Sequence, residues 1–304
     1  MVQILDGNKI SAIIRAEIKE EIAKLKIKPS LTVVLCSTDP ASEIYVRKKQ
    51  EACKEVGIES CLIKPFSEEG VSSEEVIHRM RHPQKHLISL IKSLNGDSAV
   101  DGILVQLPLS KPLNQYEVFD KIDPHKDVDV FSPTNVGLLL QGRPRFIPCT
   151  PQGIQELLTR SGIKIAGKKV AIINRSDIVG KPLSALLVQD HGEANATVVM
   201  CHDHTPPECL KEICLASDII VVAVGKPGFL TADMVNSDKI VVDVGINRIY
   251  TPEGKVKIVG DVADGVKDIV KAISLVPGGV GPLTIACLLR NTLKACQMRL
   301  NGKM

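Results

Sequence analysis

A two-domain α/β protein is what the sequence predicts, on three observations. Short runs rich in Val and Ile alternate with helix-length segments along the whole chain, the pattern of parallel strands buried on both faces. At roughly 150 residues per domain, the 304 residues have room for two hydrophobic cores. A proline-rich passage, Gly142 to Pro151 (GRPRFIPCTP), separates the first half from the cleanest strand-helix-strand series. The second half therefore reads as a doubly wound, Rossmann-type nucleotide-binding domain, and the first as an N-terminal α/β domain.

In the first half, strands are predicted at 31–36 (LTVVLC) and 103–107 (ILVQL), and helices near 9–25, 40–56 and 72–94. The 40–56 helix has the clearest ends: Asp39 as N-cap, Pro40 in the first position and Gly57 just past the end. Pro83 falls inside the third helix, so two helices with a basic loop at 81–86 are expected there. In the second half, strands are predicted at 169–174, 197–202, 218–224 and 239–245, with helices near 181–189 and 207–216. A helix at 283–300 follows the glycine-rich 277–282 and is expected to return to the first domain. The domains are thus 1–147 together with 283–304, and 148–282. No internal repeat is found.

Composition removes several function classes. Lys and Arg number 38 against 35 Asp and Glu, a net charge of only +3. With no Trp, 3 Tyr and 5 Phe, the chain lacks stacking platforms, and nucleic acid is not expected as a partner. Nine cysteines without a C-x-x-C pair read as free thiols in a reducing compartment. The first twenty residues carry charges throughout, and no run of about eighteen apolar residues occurs. A cytoplasmic protein without membrane attachment is expected. His202 and His204 flank Asp203 after Cys201, but alternate strand residues point to opposite faces, so no metal site is expected.

Several residues carry the chemistry. At about 100° per residue, Lys49 falls near the centre of an arc formed by Tyr45, Val46, Ala52, Cys53 and Val56. Apolar neighbours disfavour its charged form, which suits a lysine to proton transfer; the alternative is a stem that snorkels past the core edge. Gln106 stands near the carboxyl end of an apolar strand that Pro108 terminates, where open α/β sheets bind ligands; the alternative is an amide satisfied by nearby backbone. Asp127 and Asp129, in DPHKDVDVF, read singly as loop acids. Asn174 to Pro182 (NRSDIVGKP) follows a strand and opens a helix, the place for a dinucleotide pyrophosphate, although only one of three fingerprint glycines is present. Asp203 ends the next strand, where an acid commonly bonds ribose hydroxyls; the alternative is a solvated strand-end acid. Pro277-Gly278-Gly279-Val280-Gly281-Pro282 offers bare backbone to a ligand or makes an interdomain turn.

Together these motifs resemble the bifunctional methylenetetrahydrofolate dehydrogenase/methenyltetrahydrofolate cyclohydrolase family. The matches are DPASEIYVRKK (39–49), DGILVQLPL (101–109), KDVD (126–129), FIPCTPQG (146–153), RSDIVGKP (175–182), DVGIN (243–247), VGDV (259–262) and PGGVGPLT (277–284), in family order over nearly the whole chain. The resemblance implies a homodimer acting in one-carbon metabolism, with folate between a catalytic and a Rossmann domain. It implies that Tyr45, Lys49, Gln106 and Asp129 form the catalytic set: Tyr45 against the folate, Lys49 as the catalytic lysine, Gln106 tuning it and Asp129 anchoring the pterin. Val105, Leu107, Pro277, Gly278, Gly279, Val280 and Gly281 would complete the folate site. Thr150, Asn174, Arg175, Ser176, Asp203 and Ile246 would hold the cofactor, NADP, with NAD also possible because of Asp203.

Four departures from the family pattern stand out. Val130 occupies a usual glycine, and Asn174 replaces the first glycine of Gly-Arg-Ser, a substitution tolerated at positive φ. Asp203 stands where many relatives have Ser or Arg, and the stretch around Pro83 looks inserted. The reaction implied is oxidation of 5,10-methylenetetrahydrofolate followed by hydrolysis to 10-formyltetrahydrofolate, which feeds purine biosynthesis. The rivals are a Rossmann dehydrogenase for another small anion and a non-catalytic folate- or nucleotide-binding protein. A formate-tetrahydrofolate ligase activity is not expected, since no G-x-x-x-x-G-K-[ST] loop is present.

Overall fold

Buried Val and Ile runs form the centres of two parallel sheets in the computed structural model, which describes residues 2–67, 79–250 and 254–302. The chain divides into two units. The first comprises Ile14–Leu138, Pro144–Ile147 and Leu288–Met304, and the second Met1–Ile13, Leu139–Arg143 and Pro148–Cys287. β1 (Gln3–Leu5) thus belongs to the second unit, as does the start of α1 (Gly7–Ile22), which begins and ends slightly earlier than predicted.

In the first unit, β2 (Ser30–Leu35) lies between β3 (Glu59–Ile63) and β4 (Gly102–Gln106), all parallel. The apolar runs predicted as strands are β2 and β4, and both are nearly fully buried. β3 (ESCLI) went unpredicted because, on the sheet edge, it mixes polar and apolar residues without the continuous run of a central strand. α2 spans Pro40–Val56 with the expected ends: Asp39 accepts from the Ala41 N–H, and Gly57, at φ 92°, returns its N–H to the Cys53 carbonyl. α3 (Pro83–Gly96) corrects the expected loop. Residues 79–81 are helical and only His82 separates them from Pro83, which opens α3 instead of breaking a helix. A proline costs nothing at the first position, where its missing N–H has no intrahelical partner. The predicted helix at 72–78 lies outside the described residues. Leu87, Ile91, Ile103, Val105, Val118 and Phe119 make this unit's core.

The second unit carries a six-stranded parallel sheet in the order β1-β11-β8-β7-β5-β6. Its members after β1 are β5 (Lys169–Ile173), β6 (Thr197–Cys201), β7 (Ile219–Val222), β8 (Ile240–Asp243) and β11 (Ala272–Ser274). β9 (Asn247–Tyr250) and β10 (Val256–Val259) form a separate antiparallel pair. The chain leaves β5 for edge strand β6 and returns to β7 on the other side of β5, which makes the space beyond β5 and β7 the topological switch point. The doubly wound prediction holds. β1 and β11, three residues each, are too short to show a pattern and find their places only by pairing with each other and β8. Among the described residues no helix is long and apolar enough to cross a membrane.

Buried charges tie the first unit's loops together. Asp101, fully buried, accepts from the Ser30 N–H and from Arg299 Nε at 2.7 Å, so the C-terminal helix is bonded to the end of the loop entering β4. Lys126 donates to the Leu94 and Asp97 carbonyls at 2.9 and 2.6 Å and so caps the end of α3. Burial pushes its pKa down, with Asp123, Asp97 and Asp101 opposing. The Asp127 carboxylate accepts from the Phe131 and Ser132 N–H groups, the Ser132 hydroxyl and Asn135 Nδ2.

That carboxylate closes the turn 127–132, and the reversal falls on Val130, at φ 64° with its side chain buried. Left-handed backbone costs an ordinary residue roughly 1–2 kcal/mol, and a β-branched one is a true outlier there. Burying a valine returns roughly 1.5–3 kcal/mol, enough to hold it. Truncation to alanine loses the burial and keeps the strain, whereas glycine loses both. Val130→Gly should therefore be more stable than Val130→Ala by about 1 kcal/mol, opposite to the usual order. Urea midpoints of the two variants test this; a less stable glycine variant would show that the turn is unstrained.

Candidate active site

In the first unit, α2 carries Tyr45 and Lys49 one turn apart, both half-buried, while Val46, Ala52, Cys53 and Val56 go into the core. The helical arc read from the sequence is therefore the inward face, with Tyr45 and Lys49 at its margin. Lys49 Nζ donates to Gln106 Oε1 at 2.8 Å. Gln106 Nε2 in turn donates to the Leu107 carbonyl at 2.7 Å, which leaves only the oxygen of the amide to face the lysine. The half-exposed glutamine at the end of β4 is thus a fixed acceptor, and Val105 before it is buried in the sheet. One turn along α2, burial pushes the Cys53 thiol up to about 12 against the pull of Lys49, so that thiol stays protonated.

Asp129 is positioned by a turn that packs on β4. The segment containing it bonds to β4, with the Ile103 N–H on the Lys126 carbonyl at 2.7 Å and a parallel bridge from Ile103 to Asp127. Two residues further on, Asp129 lies in the turn that follows this bridge. Buried Val128 packs so closely on Gly102 that a Cβ there would stand 2.9 Å from a valine methyl. Asn291 Nδ2 donates to the Val128 carbonyl at 2.8 Å. Asp129, half-buried, therefore sits on a turn pinned on both sides.

In the second unit, the turn after β5 is organised by Asn174. Its Oδ1 accepts from the Ser176 N–H (2.8 Å), the Ser176 hydroxyl (2.6 Å) and the Gly180 N–H (2.9 Å). Its Nδ2 donates to the Ala223 carbonyl after β7. The expected reason for Asn at this place is corrected. Among the described non-glycine residues only Val130 and Asn195 have positive φ, so Asn174 is suited to the turn by its amide and not by left-handed backbone. Gly180 is required, because a Cβ there would meet the Asn174 carbonyl oxygen at 2.1 Å. It opens α7 (Gly180–Leu187).

Parallel pairing of Ile173 with Cys201 brings Arg175 level with Asp203, and their side chains form an exposed ion pair at 2.5 Å. Arg175 and, more weakly, the neighbouring histidines hold the Asp203 pKa below its ordinary value, although the largest single influence, desolvation, works the other way. His202 Nδ1 accepts from the His204 N–H. Among the described residues, no group of three or more His, Cys, Asp or Glu is placed to hold a metal.

The glycine-rich turn packs on the N-terminus of α1 within this unit. The Asn8 N–H bonds to the Gly278 carbonyl, and Ser11 Oγ donates to the Pro282 carbonyl. Gly278 has φ 108°, and a Cβ on Gly279 would lie 2.6 Å from the Leu275 carbonyl oxygen, so neither position accepts a side chain without strain. Val280 is buried at the start of the last helix, α9 (Val280–Leu300). Thr150 Oγ1 lies 3.2 Å from Thr284 Oγ1, which joins the end of the proline-rich passage to the start of α9.

Two residues of this region escaped the sequence reasoning, which had recognised their motifs only by resemblance. Asp261, fully buried, accepts the N–H groups of Val224, Gly225 and Lys226 and a proton of Asn247 Nδ2. Asp243 accepts from Gly245, Asp261 and Val262, and burial pushes its pKa up to about 6 against those bonds. Together they fix the loops after β7 and β8, including half-exposed Ile246. The signal was available in part: Gly245 and Gly260 leave room for the carboxylates, with the nearest carboxylate atom 2.2 and 1.8 Å from a Cβ at either glycine.

Comparison with known proteins agrees with both units. Residues 5–129 match the catalytic domain of tetrahydrofolate dehydrogenase/cyclohydrolase, and residues 148–300 match its NAD(P)-binding domain. The bifunctional protein FolD of Rhodopirellula baltica is 46% identical over 97% of both chains. The crystal structure of the Campylobacter jejuni bifunctional methylenetetrahydrofolate dehydrogenase/cyclohydrolase superposes with a TM-score of 0.86 at 42% identity, covering 98% of this chain and all of that one. A Trypanosoma brucei enzyme complexed with NADP and an inhibitor has a TM-score of 0.86 at 33% identity, over 98% of each chain. With both domains matched in order and the lysine–glutamine pair formed, this chain belongs to the tetrahydrofolate dehydrogenase/cyclohydrolase family and has its two activities.

Proposed function

We propose that this enzyme oxidises 5,10-methylenetetrahydrofolate with NADP and hydrolyses the methenyl product to 10-formyltetrahydrofolate, with Lys49 moving the protons of the second step. The observation that carries the reading is the 2.8 Å bond from Lys49 to Gln106, which fixes one lysine hydrogen and aims the amine from the edge of the core.

The residues of the second unit fit a nicotinamide dinucleotide. The turn 174–180 and the loop 223–226 flank the switch point and are bonded to each other through Asn174 and Ala223. Arg175 offers a guanidinium to a 2'-phosphate, Ser176 and Thr150 lie on the same unit, and Ile246 presents an apolar face. The cofactor, when bound, accepts the hydride. The folate nitrogens stabilise the resulting cation, so the protein's share of that step is chiefly alignment. Tyr45 lies against the folate, Asp129 accepts hydrogens from the pterin, and Val105 and Leu107, on the same unit, shape its surroundings.

Hydrolysis asks more of the side chains. Water adds its oxygen to the methenyl carbon and loses a proton to the neutral Lys49 amine. Lys49 then returns that proton to N5 as the carbon–N5 bond breaks, and the remaining hydroxyl proton is released to solvent as the carbinol becomes the formyl group on N10. Gln106 is a positioning residue: with its amide held by Leu107, it keeps Nζ in one orientation between the two transfers.

A homodimer is part of this reading, and the exposed edge of β3 with Ile44 and Leu62 nearby is a suitable surface for it. A reducing, cytoplasmic setting accords with nine free cysteines, and consumption of the product in purine biosynthesis accords with its chemistry as a formyl donor.

Lys49→Ala should abolish hydrolysis of methenyltetrahydrofolate and reduce the dehydrogenase far less, because only hydrolysis needs proton transfer. Following methenyl absorbance without any nicotinamide, beside the NADP-dependent oxidation, measures both; equal losses at unchanged folate affinity would make Lys49 merely positional. Asp129→Ala should weaken folate binding about tenfold or more, since a charge-assisted pair contributes roughly 1.5–3 kcal/mol. Calorimetric titration with folate and with NADP checks this, and unchanged folate affinity would remove Asp129 from the site.

A further inference from the structure

A 2'-phosphate on the cofactor needs donors, and in this chain the donors at the expected place are already engaged. The Ser176 hydroxyl donates to Asn174 Oδ1 and accepts from the Val179 N–H at 3.1 Å. The Ser176 and Gly180 N–H groups are taken by the same Asn174 oxygen. Arg175 is paired with Asp203 across two adjacent strand ends. A glycine at 174 could do none of this, because it has no side-chain oxygen to accept from Ser176 or Gly180. The amide is itself anchored, through Nδ2, to the Ala223 carbonyl beyond β7, so it cannot swing away without losing that bond.

We propose that Asn174 is a specificity-determining residue that, with Asp203, lowers the advantage of NADP over NAD by occupying the groups a 2'-phosphate would use. The inference rests on the reading of 174–180 as the cofactor turn and refines its choice of cofactor. To bind NADP, the phosphate must displace Asp203 from Arg175 and pull Ser176 from Asn174. NAD asks for neither. Its adenosine ribose has two free hydroxyls that donate to Asp203 Oδ2, the oxygen facing His204 Nε2 at 3.6 Å, while the Arg175 pair stays intact. Asn174 acts through Ser176 and Gly180 and is a positioning residue, distinct from the charge effect of Asp203.

The test compares the parent with Asn174→Gly, Asn174→Ser, Asp203→Ser and the double variant Asn174→Gly/Asp203→Ser. One readout is the ratio of kcat/KM for NADP to that for NAD in methylenetetrahydrofolate oxidation. The second, independent of turnover, is calorimetric affinity for 2',5'-ADP against 5'-AMP. Asn174→Gly should raise both ratios at least fivefold, and the double variant should exceed either single change. Asn174→Ser, whose short side chain cannot span from Ser176 and Gly180 to Ala223, should move them the same way and serves if the glycine variant does not fold. A simple loss of turn stability would weaken both cofactors alike and leave the ratios unmoved. Ratios within twofold of the parent in both Asn174 variants would overturn the proposal, while a parent that oxidises the folate with neither cofactor would overturn the dehydrogenase reading instead.

Discussion

A carboxylate can be buried only where N–H groups replace the water it loses, and this chain meets that constraint repeatedly at the places where its loops must be exact. Asp127 gathers the donors of residues 131, 132 and 135, Asp261 those of 224 to 226, and Asp243 those of 245, 261 and 262. Asp243 ends β8 and Asp261 follows β10, and between them the loops after β7 and β8 are bonded from beneath. Removing one partner would leave the others unsatisfied in a low-dielectric surrounding, which is why such clusters hold a loop in a single geometry.

The functional side chains stand on this frame and are less buried than it. Lys49, Gln106 and Asp129 are half-buried, and Arg175, Asp203 and Ile246 are exposed. The division has a physical basis: a group that must exchange protons or meet a charged ligand needs access, whereas a group that fixes backbone needs a low dielectric. Val130 shows how far the frame can force its contents. Its left-handed backbone is held by the Asp127 bonds on one side and by burial of its own side chain. The cofactor turn reaches rigidity differently, through one amide that satisfies four groups, and so with no backbone strain.

Much was legible in the sequence because it was local. Alternating Val and Ile runs declare buried parallel strands, Asp39, Pro40 and Gly57 declare the ends of α2, and the arc from Tyr45 to Val56 isolates Lys49 as a charge on an apolar face. These signals need only neighbours along the chain. The strands β1, β3 and β11 were not legible, since β1 and β3 lie on sheet edges and β11 is only three residues long, so all three acquire their structure from pairing. Pro83 announced a break between two helices, but not that the expected loop at 81–86 would shrink to His82, because a proline that breaks a helix and one that begins the next differ only in where the preceding turn stops.

The sequence by itself determined the fold class, the order of the main strands, the register of α2 and the residue types available for chemistry, because periodicity and capping are fixed by backbone geometry. Tertiary structure alone decided which of those groups are spent on one another. Lys49 meets Gln106 across 57 positions and Arg175 meets Asp203 across strand ends. Asn174 satisfies groups up to six residues ahead and one in the loop after β7, and Asp261 reaches back to a loop 35 to 37 residues earlier. Such bonds depend on a distance of about 3 Å between atoms that only the packed chain brings together.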